Sequence, residues 1–290
     1  MSRLKSPARA STRRTMTILG LLVGLSGSMC VVASPASAAV PGLVLVSVSS
    51  AYDSVFDKGA VANCPPGKRV TGAGGDLFGG WGDVVMDNIA VLGPTAAGTR
   101  AEEDSSYTGN WQITARAICA DPLPGQTYVT SQSASNNANK SVTATCPPGT
   151  QLTGVGGDLI GAFGEVVLDD ITPNPSLTAV TVWAYAEDPY AASWSVKAFA
   201  ACANPLPGLE LIEASSANDA LDSKWATAYC PAGKVLVGTG GDVTGAVGSV
   251  VMTITPHPTV PLSVVTVGAN ETDPYTINWK VRAFGICALP

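Results

Sequence analysis

The 290-residue sequence contains one histidine, His257. That scarcity excludes histidine-built zinc centres by count. A Ser–His–Asp or Cys–His site would have to be assembled around this residue alone, and no nucleophile motif lies near it. It sits in "TPHP", where the matching stretch earlier in the chain is "TPNP" with Asn174, so it reads as a solvated loop residue. Charged side chains are also few, at 13%. Outside the N-terminal segment there is no long apolar run, and no window carries a sustained helical stripe.

Basic residues are scarce and are concentrated at the start. Arg3, Lys5, Arg9, Arg13 and Arg14 precede the apolar run "TILGLLVGL", and "ASA" follows at Ala36–Ala38. This is the layout of a secretory signal over residues 1–38, cleaved before Ala39. The run is too short and too interrupted by Gly and Ser to favour a retained membrane span. Met29 before Cys30 argues against a lipoprotein signal. Without this segment 11 Lys and Arg face 22 Asp and Glu, a net charge of −11. Such acidity excludes nucleic acid and anionic membrane surfaces as partners, since both require concentrated positive charge. The expected location is extracellular, and no membrane span is expected after cleavage. An even set of six cysteines remains, and in an oxidising compartment these form disulfides.

What the sequence has in abundance is repetition. "CPPGKRVTGAGGD" begins at Cys64, "CPPGTQLTGVGGD" at Cys146 and "CPAGKVLVGTGGD" at Cys230. Each is the centre of a unit of about 83 residues, and three units tile positions 39–124, 125–207 and 208–290. Trp194, Val196, Ala198, Ala200 and Cys202 recur at every second position, a strand period, and Trp111 to Cys119 and Trp279 to Cys287 follow it. Short β-branched runs start at Val84, Val166 and Val250, with Gly, Pro, Asn and Asp clusters between runs. The expected fold is all-β, three tandem antiparallel sandwich-like repeats of five or six strands. Closure of the three around a pseudo-three-fold axis, as a β-prism, is the alternative. Six thiols allow 15 pairings. Repetition favours pairing within each copy, Cys64 with Cys119, Cys146 with Cys202 and Cys230 with Cys287.

Several triplicated side chains are candidates for a binding site. Asp76, Asp158 and Asp242 close the glycine strings, as sugar-hydroxyl acceptors or calcium ligands, or else as turn-closing residues bonded to their own backbone. No cofactor is implied, because the neighbouring oxygens that calcium would need change from copy to copy: Asp83, Glu165, Ser249 and Asp87, Asp169, Thr253. The glycine strings lack a following helix, so they are not phosphate cradles. Trp81 and Phe163, with Val247 in the third copy, stand at glycine-framed tips where an aromatic could stack on a sugar or pack back on its hairpin. Tyr107, Tyr190 and Tyr275 each precede a Trp by four residues, close to Glu103, Glu187 and Glu271. Those could form an acidic aromatic cleft, or a turn with solvated charges. Trp111, Trp194 and Trp279 share a face with the cysteines and read as core.

"CPAGKVLVGTGGD" with "WKVRAFGICA" resembles a module of secreted bacterial repeat proteins, many without assigned activity. The three β repeats with a "CP.G" turn also resemble, more distantly, the vitelline membrane outer layer protein I family, whose fold is a β-prism. That resemblance implies an extracellular coat role with carbohydrate interaction, and transfers no catalytic residue. The function expected is therefore a secreted, non-catalytic surface protein that binds a polysaccharide or cell-surface glycan through repeated weak sites. A purely structural or protective role, and an acidic-residue glycoside hydrolase using the glutamates, are the alternatives.

Overall fold

A computed structural model describes residues 40–290 except 105, 106, 188, 189 and 275. The expected signal segment 1–38 and Tyr275 therefore lie outside the described residues. Each third of the described chain folds into six strands. The first has β1 (Val44–Ser49), β2 (Asp57–Asn63), β3 (Arg69–Phe78), β4 (Val84–Gly93), β5 (Ala96–Glu103) and β6 (Gln112–Ala120). The second has β7 (Thr127–Gln132), β8 (Lys140–Thr145), β9 (Gln151–Ile160), β10 (Val166–Pro173), β11 (Ala179–Ala186) and β12 (Ser195–Ala203). The third has β13 (Glu210–Ser215), β14 (Ser223–Tyr229), β15 (Val235–Thr244), β16 (Val250–Pro256), β17 (Val264–Glu271) and β18 (Lys280–Ala288).

The alternation seen in the sequence decides which face is inward. Along β6, Ile113, Ala115, Ala117 and Cys119 are buried, while Gln112, Thr114 and Arg116 point outward. Trp111, Trp194 and Trp279, ahead of the last strand of each repeat, are fully buried. Within a repeat the first, sixth and third strands form one antiparallel half-sheet, and the second, fifth and fourth form another. The disulfides Cys64–Cys119, Cys146–Cys202 and Cys230–Cys287, with Cα separations of 5.7, 5.8 and 5.8 Å, fasten the two layers of each repeat together. Each closes a long loop, worth about 4 kcal/mol in the chain-entropy account.

The half-sheets do not end at the repeat. β3 continues onto β16, β15 onto β10 and β9 onto β4, giving three six-stranded sheets. Their orders are β1-β6-β3-β16-β17-β14, β13-β18-β15-β10-β11-β8 and β2-β5-β4-β9-β12-β7. Each repeat is thus a two-layered sandwich whose layers are each completed by a different neighbour, and the ring of three closes.

The glycine strings lie where the ring closes. They form the middle of β3, β9 and β15, not turns, which corrects the turn-closing reading of Asp76, Asp158 and Asp242. A Cβ on Gly72 would lie 2.7 Å from the Cα of Gly238, one on Gly238 2.8 Å from that of Gly154, and one on Gly154 2.6 Å from that of Gly72. Three backbones from three repeats meet around one axis, and any side chain there would overlap main chain. The last glycine of each string sets the junction register: Gly75 pairs with Ile254, Gly157 with Ile89 and Gly241 with Ile171.

A second triplicated device supports each buried tryptophan. Lys58, Lys140 and Lys224, each six residues before the first cysteine of its repeat, lie with Nζ 4.4, 3.7 and 4.8 Å from the ring centroids of Trp111, Trp194 and Trp279. Lys58 Nζ also donates to the carbonyls of Asp53 (2.7 Å) and Trp111 (2.5 Å) and pairs with the Asp53 carboxylate at 2.6 Å. Lys140 donates to Asn136 O at 2.6 Å and Trp194 O at 2.7 Å, and Lys224 pairs with Asp219. A desolvated ammonium over an indole is worth about 2 kcal/mol or more.

Candidate functional site

The register places the string aspartates on the outer faces, in the centre of one row of side chains across each sheet. The first sheet's row is Trp225, Gly268, Thr253, Asp76, Thr114 and Ser49. The second sheet's is Ser141, Trp183, Asp170, Asp242, Arg282 and Ser215. The third sheet's is Gly59, Arg100, Asn88, Asp158, Lys197 and Gln132. These positions correspond by the three-fold relation, yet they hold different chemistry.

On the first sheet, Asp76, Trp81, Trp225, Thr253, Thr255, His257, Thr266 and Gly268 line a depression of about 220 Å³. Trp225 is 59% exposed and Trp81 43% exposed. Gly268, opposite Trp225, leaves space for the indole, since a Cβ there would lie 3.1 Å from its Cδ1 and Nε1. Trp81 comes from the tip loop of the first repeat and Trp225 from the third, so the depression exists only in the closed ring. Arg116 Nη2 lies 3.3 Å from Asp76 Oδ2 and its Nη1 donates to Ser47 Oγ at 3.2 Å. His257 Nε2 is 2.8 Å from Thr266 Oγ1, which in turn is 2.9 Å from Thr227 Oγ1. His257 is half-buried here rather than a solvated loop residue, and burial, followed by the positive charge of Arg116, lowers its pKa.

On the third sheet Arg100 of the row is held by ion pairs to carboxylates outside it. Arg100 donates Nε to Asp57 Oδ1 at 3.0 Å, pairs with Glu102, and lies 3.4 Å from Asp87. Asn88 Nδ2 donates to Asp158 Oδ1 at 2.9 Å, and burial raises the Asp158 pKa. On the second sheet Arg282 Nε donates to Asp242 Oδ1 at 2.9 Å. Burial pushes the Asp242 carboxyl up, but hydrogen bonds from Arg282 and Thr244 outweigh it and hold it below the usual range.

The other sequence candidates divide. Phe163 is 63% exposed, with φ 51°, a left-handed conformation that an aromatic residue adopts at a cost of about 1 kcal/mol or more. Tyr107 and Tyr190 pack against the core, with Tyr190 Oη donating to Gly161 O at 3.2 Å. Glu103 accepts the Trp111 indole N–H at 2.9 Å and Glu271 that of Trp279 at 2.7 Å. Burial, then the negative charge of Asp104, pushes the Glu187 carboxyl up to about 8. Among the described residues no group of three or more His, Cys, Asp and Glu side chains is arranged to hold a metal ion.

Trp225, Trp183 and the three lysines escaped the reading of the sequence. Their signal was phase: Trp225 occupies the outward phase of a strand whose inward phase is Lys224, Ala226 and Ala228. Trp183 does the same between Val182 and Ala184. No protein-family model matches the chain, and no curated protein matches its sequence. What the fold defines is a disulfide-fastened, all-β protein of three interlocked repeats, suited to a non-reducing environment. Among the described residues no helix is long and apolar enough to cross a membrane.

Proposed function

We propose that the protein is a secreted, non-catalytic glycan-binding protein whose first-sheet depression holds a sugar of a polysaccharide or cell-surface glycan. The observation that carries this reading is the pair of exposed indoles, Trp81 and Trp225, bordering one hollow with Asp76, His257 and three threonine hydroxyls. Indole faces accept the C–H face of a pyranose, and the carboxylate and hydroxyls accept and donate to its ring hydroxyls. Secretion is supported by the signal-like residues 1–38 and the three disulfides. A polymer ligand lets weak contacts on one molecule add. The test is retention on a panel of insoluble polysaccharides by the wild type, Trp225→Ala, and the Trp81→Ala/Phe163→Ala double variant. Retention on at least one polymer, lost in Trp225→Ala and reduced in the double variant, is expected. Retention on none, or retention unchanged in Trp225→Ala, overturns it.

A further inference from the structure

The second sheet carries a different set of groups at the same three-fold position. Trp183 and Tyr185, successive outward residues of β11, stack with centroids 6.1 Å apart and planes 8° from parallel, and the Trp183 indole is 39% exposed. Trp183 is cross-strand partner to Asp170 of β10, and Asp170 to Asp242 of β15. The register of β10 against β11 slips between Leu168 and Asp170, and Asp169 occupies that bulge. It is 3% exposed. Its Oδ1, Oδ1 of Asp170 and Oγ1 of Thr172 are buried without a hydrogen-bond partner. Three carboxyls thus crowd beside one cation, Arg282, which is engaged by Asp242.

The third sheet shows what such a bulge carboxylate accepts. There the same slip falls between Met86 and Asn88, the bulge residue is Asp87, and Arg100 stands where the second sheet has Trp183. The Arg100 guanidinium lies 3.4 Å from Asp87 and pairs with Asp57 and Glu102. In the second sheet the chain's own cation has been exchanged for an indole, while the buried acid has been kept. The first sheet has neither: β16 runs past β17 without a slip and offers Thr253.

We propose that the Trp183–Tyr185 face is a second binding site, for an amino sugar bearing a free ammonium, which stacks its ring on the indole and places its cation against Asp169 and Asp170. The exposed indole selects a ring rather than a flexible alkylammonium. A cation over an indole and beside a carboxylate gains from both. The site stands apart from the Trp81–Trp225 hollow and does not depend on it.

The charge state of the empty face supplies an independent readout. Burial, followed by the charges of Asp170 and Asp242, pushes the Asp169 carboxyl up to about 9, and burial, followed by Asp242, pushes Asp170 up to about 8. Tyr185 and Arg282 are the other ionisable groups facing them. An amino sugar that arrives already protonated, at a pH below its own pKa, pairs with the carboxylate form, so the Asp169 or Asp170 proton is released to solvent as the ion pair forms.

The experiment is isothermal titration of the Trp225→Ala protein, altered at the first site, with a glucosamine oligomer, its N-acetylated counterpart and oligolysine of equal charge, in buffers of different ionisation enthalpy at a mildly acidic pH where every glucosamine amine is already charged. The glucosamine oligomer is expected to bind about tenfold or more tighter than either competitor, with net proton release. Trp183→Ala is expected to weaken it about tenfold, and Asp169→Asn, which keeps shape but not charge, to abolish the preference over the acetylated form. Equal affinity for the acetylated oligomer, tighter binding of oligolysine, no proton release, or indifference to both substitutions each overturns the proposal. A Trp225→Ala protein that binds here while losing its polysaccharide retention separates the two sites.

Discussion

Gly154 of the second repeat and Gly72 of the first approach so closely that a methyl group on Gly154 would sit 2.6 Å from the Gly72 Cα. The contact is main chain to main chain, so no rotamer change relieves it. Gly154→Ala is expected to destabilise the protein by about 3 kcal/mol, with Gly72→Ala and Gly238→Ala similar, because overpacking here must move strands of two repeats. Urea unfolding checks this; a change within about 0.5 kcal/mol would show that the three backbones do not meet as described.

The buried ammonium of Lys58 holds three carbonyls, of Ala51, Asp53 and Trp111, against the Trp111 ring. Lys58→Met keeps the alkyl stem and removes the charge. It is expected to cost about 2–4 kcal/mol, measured as a loss in denaturant midpoint, since Trp111 O loses the Lys58 donor and the Asp53 carboxylate its cation. A neutral outcome would reduce the lysine to packing.

Stability should fall as pH rises from about 5 to about 8. Burial holds Asp87 at about 8, Asp169 at about 9, and Asp170 and Glu187 at about 8, all above their unfolded values. The native state therefore binds more protons than the unfolded chain throughout that window, and the slope of unfolding free energy with pH is negative. His257, whose pKa is lowered on folding, acts oppositely near and below its ordinary value, and the raised carboxyls outnumber it. Urea midpoints across the range test this, and Asp169→Asn should flatten the slope. A midpoint that rises steadily with pH contradicts it.

The three disulfides are expected as within-repeat pairs in peptide mass maps of unreduced protein. Removing Cys146–Cys202 by double alanine substitution should cost about 2–5 kcal/mol. Cross-links between repeats would contradict the pairing.

The disulfides and the inward tryptophans were legible because each depends on local period or on what three copies share. The sharing of sheets was not. It depends on pairings between distant strands such as β3 and β16, where Gly75 meets Ile254, and no local pattern encodes which neighbour completes an edge. The glycine strings suggested turns because glycine is the usual turn residue, whereas here it is needed for close approach inside strands. Asp76 was legible as a candidate, but its partner Trp225 was not. Comparing copies draws attention to what recurs, and the depression is built from residues that differ between them. Asp87 and Asp169 aligned with Thr253 by simple counting, yet the two aspartates occupy bulges absent from the third repeat.

The reading that these outer faces bind sugars is tested most directly by a glycan array probed with the wild-type protein and with a Trp183→Ala/Trp225→Ala double variant of matched circular dichroism. Signal from the wild type on specific glycans, absent from the double variant, is the predicted result. An array on which the wild type binds nothing, or on which both proteins bind alike, would contradict it.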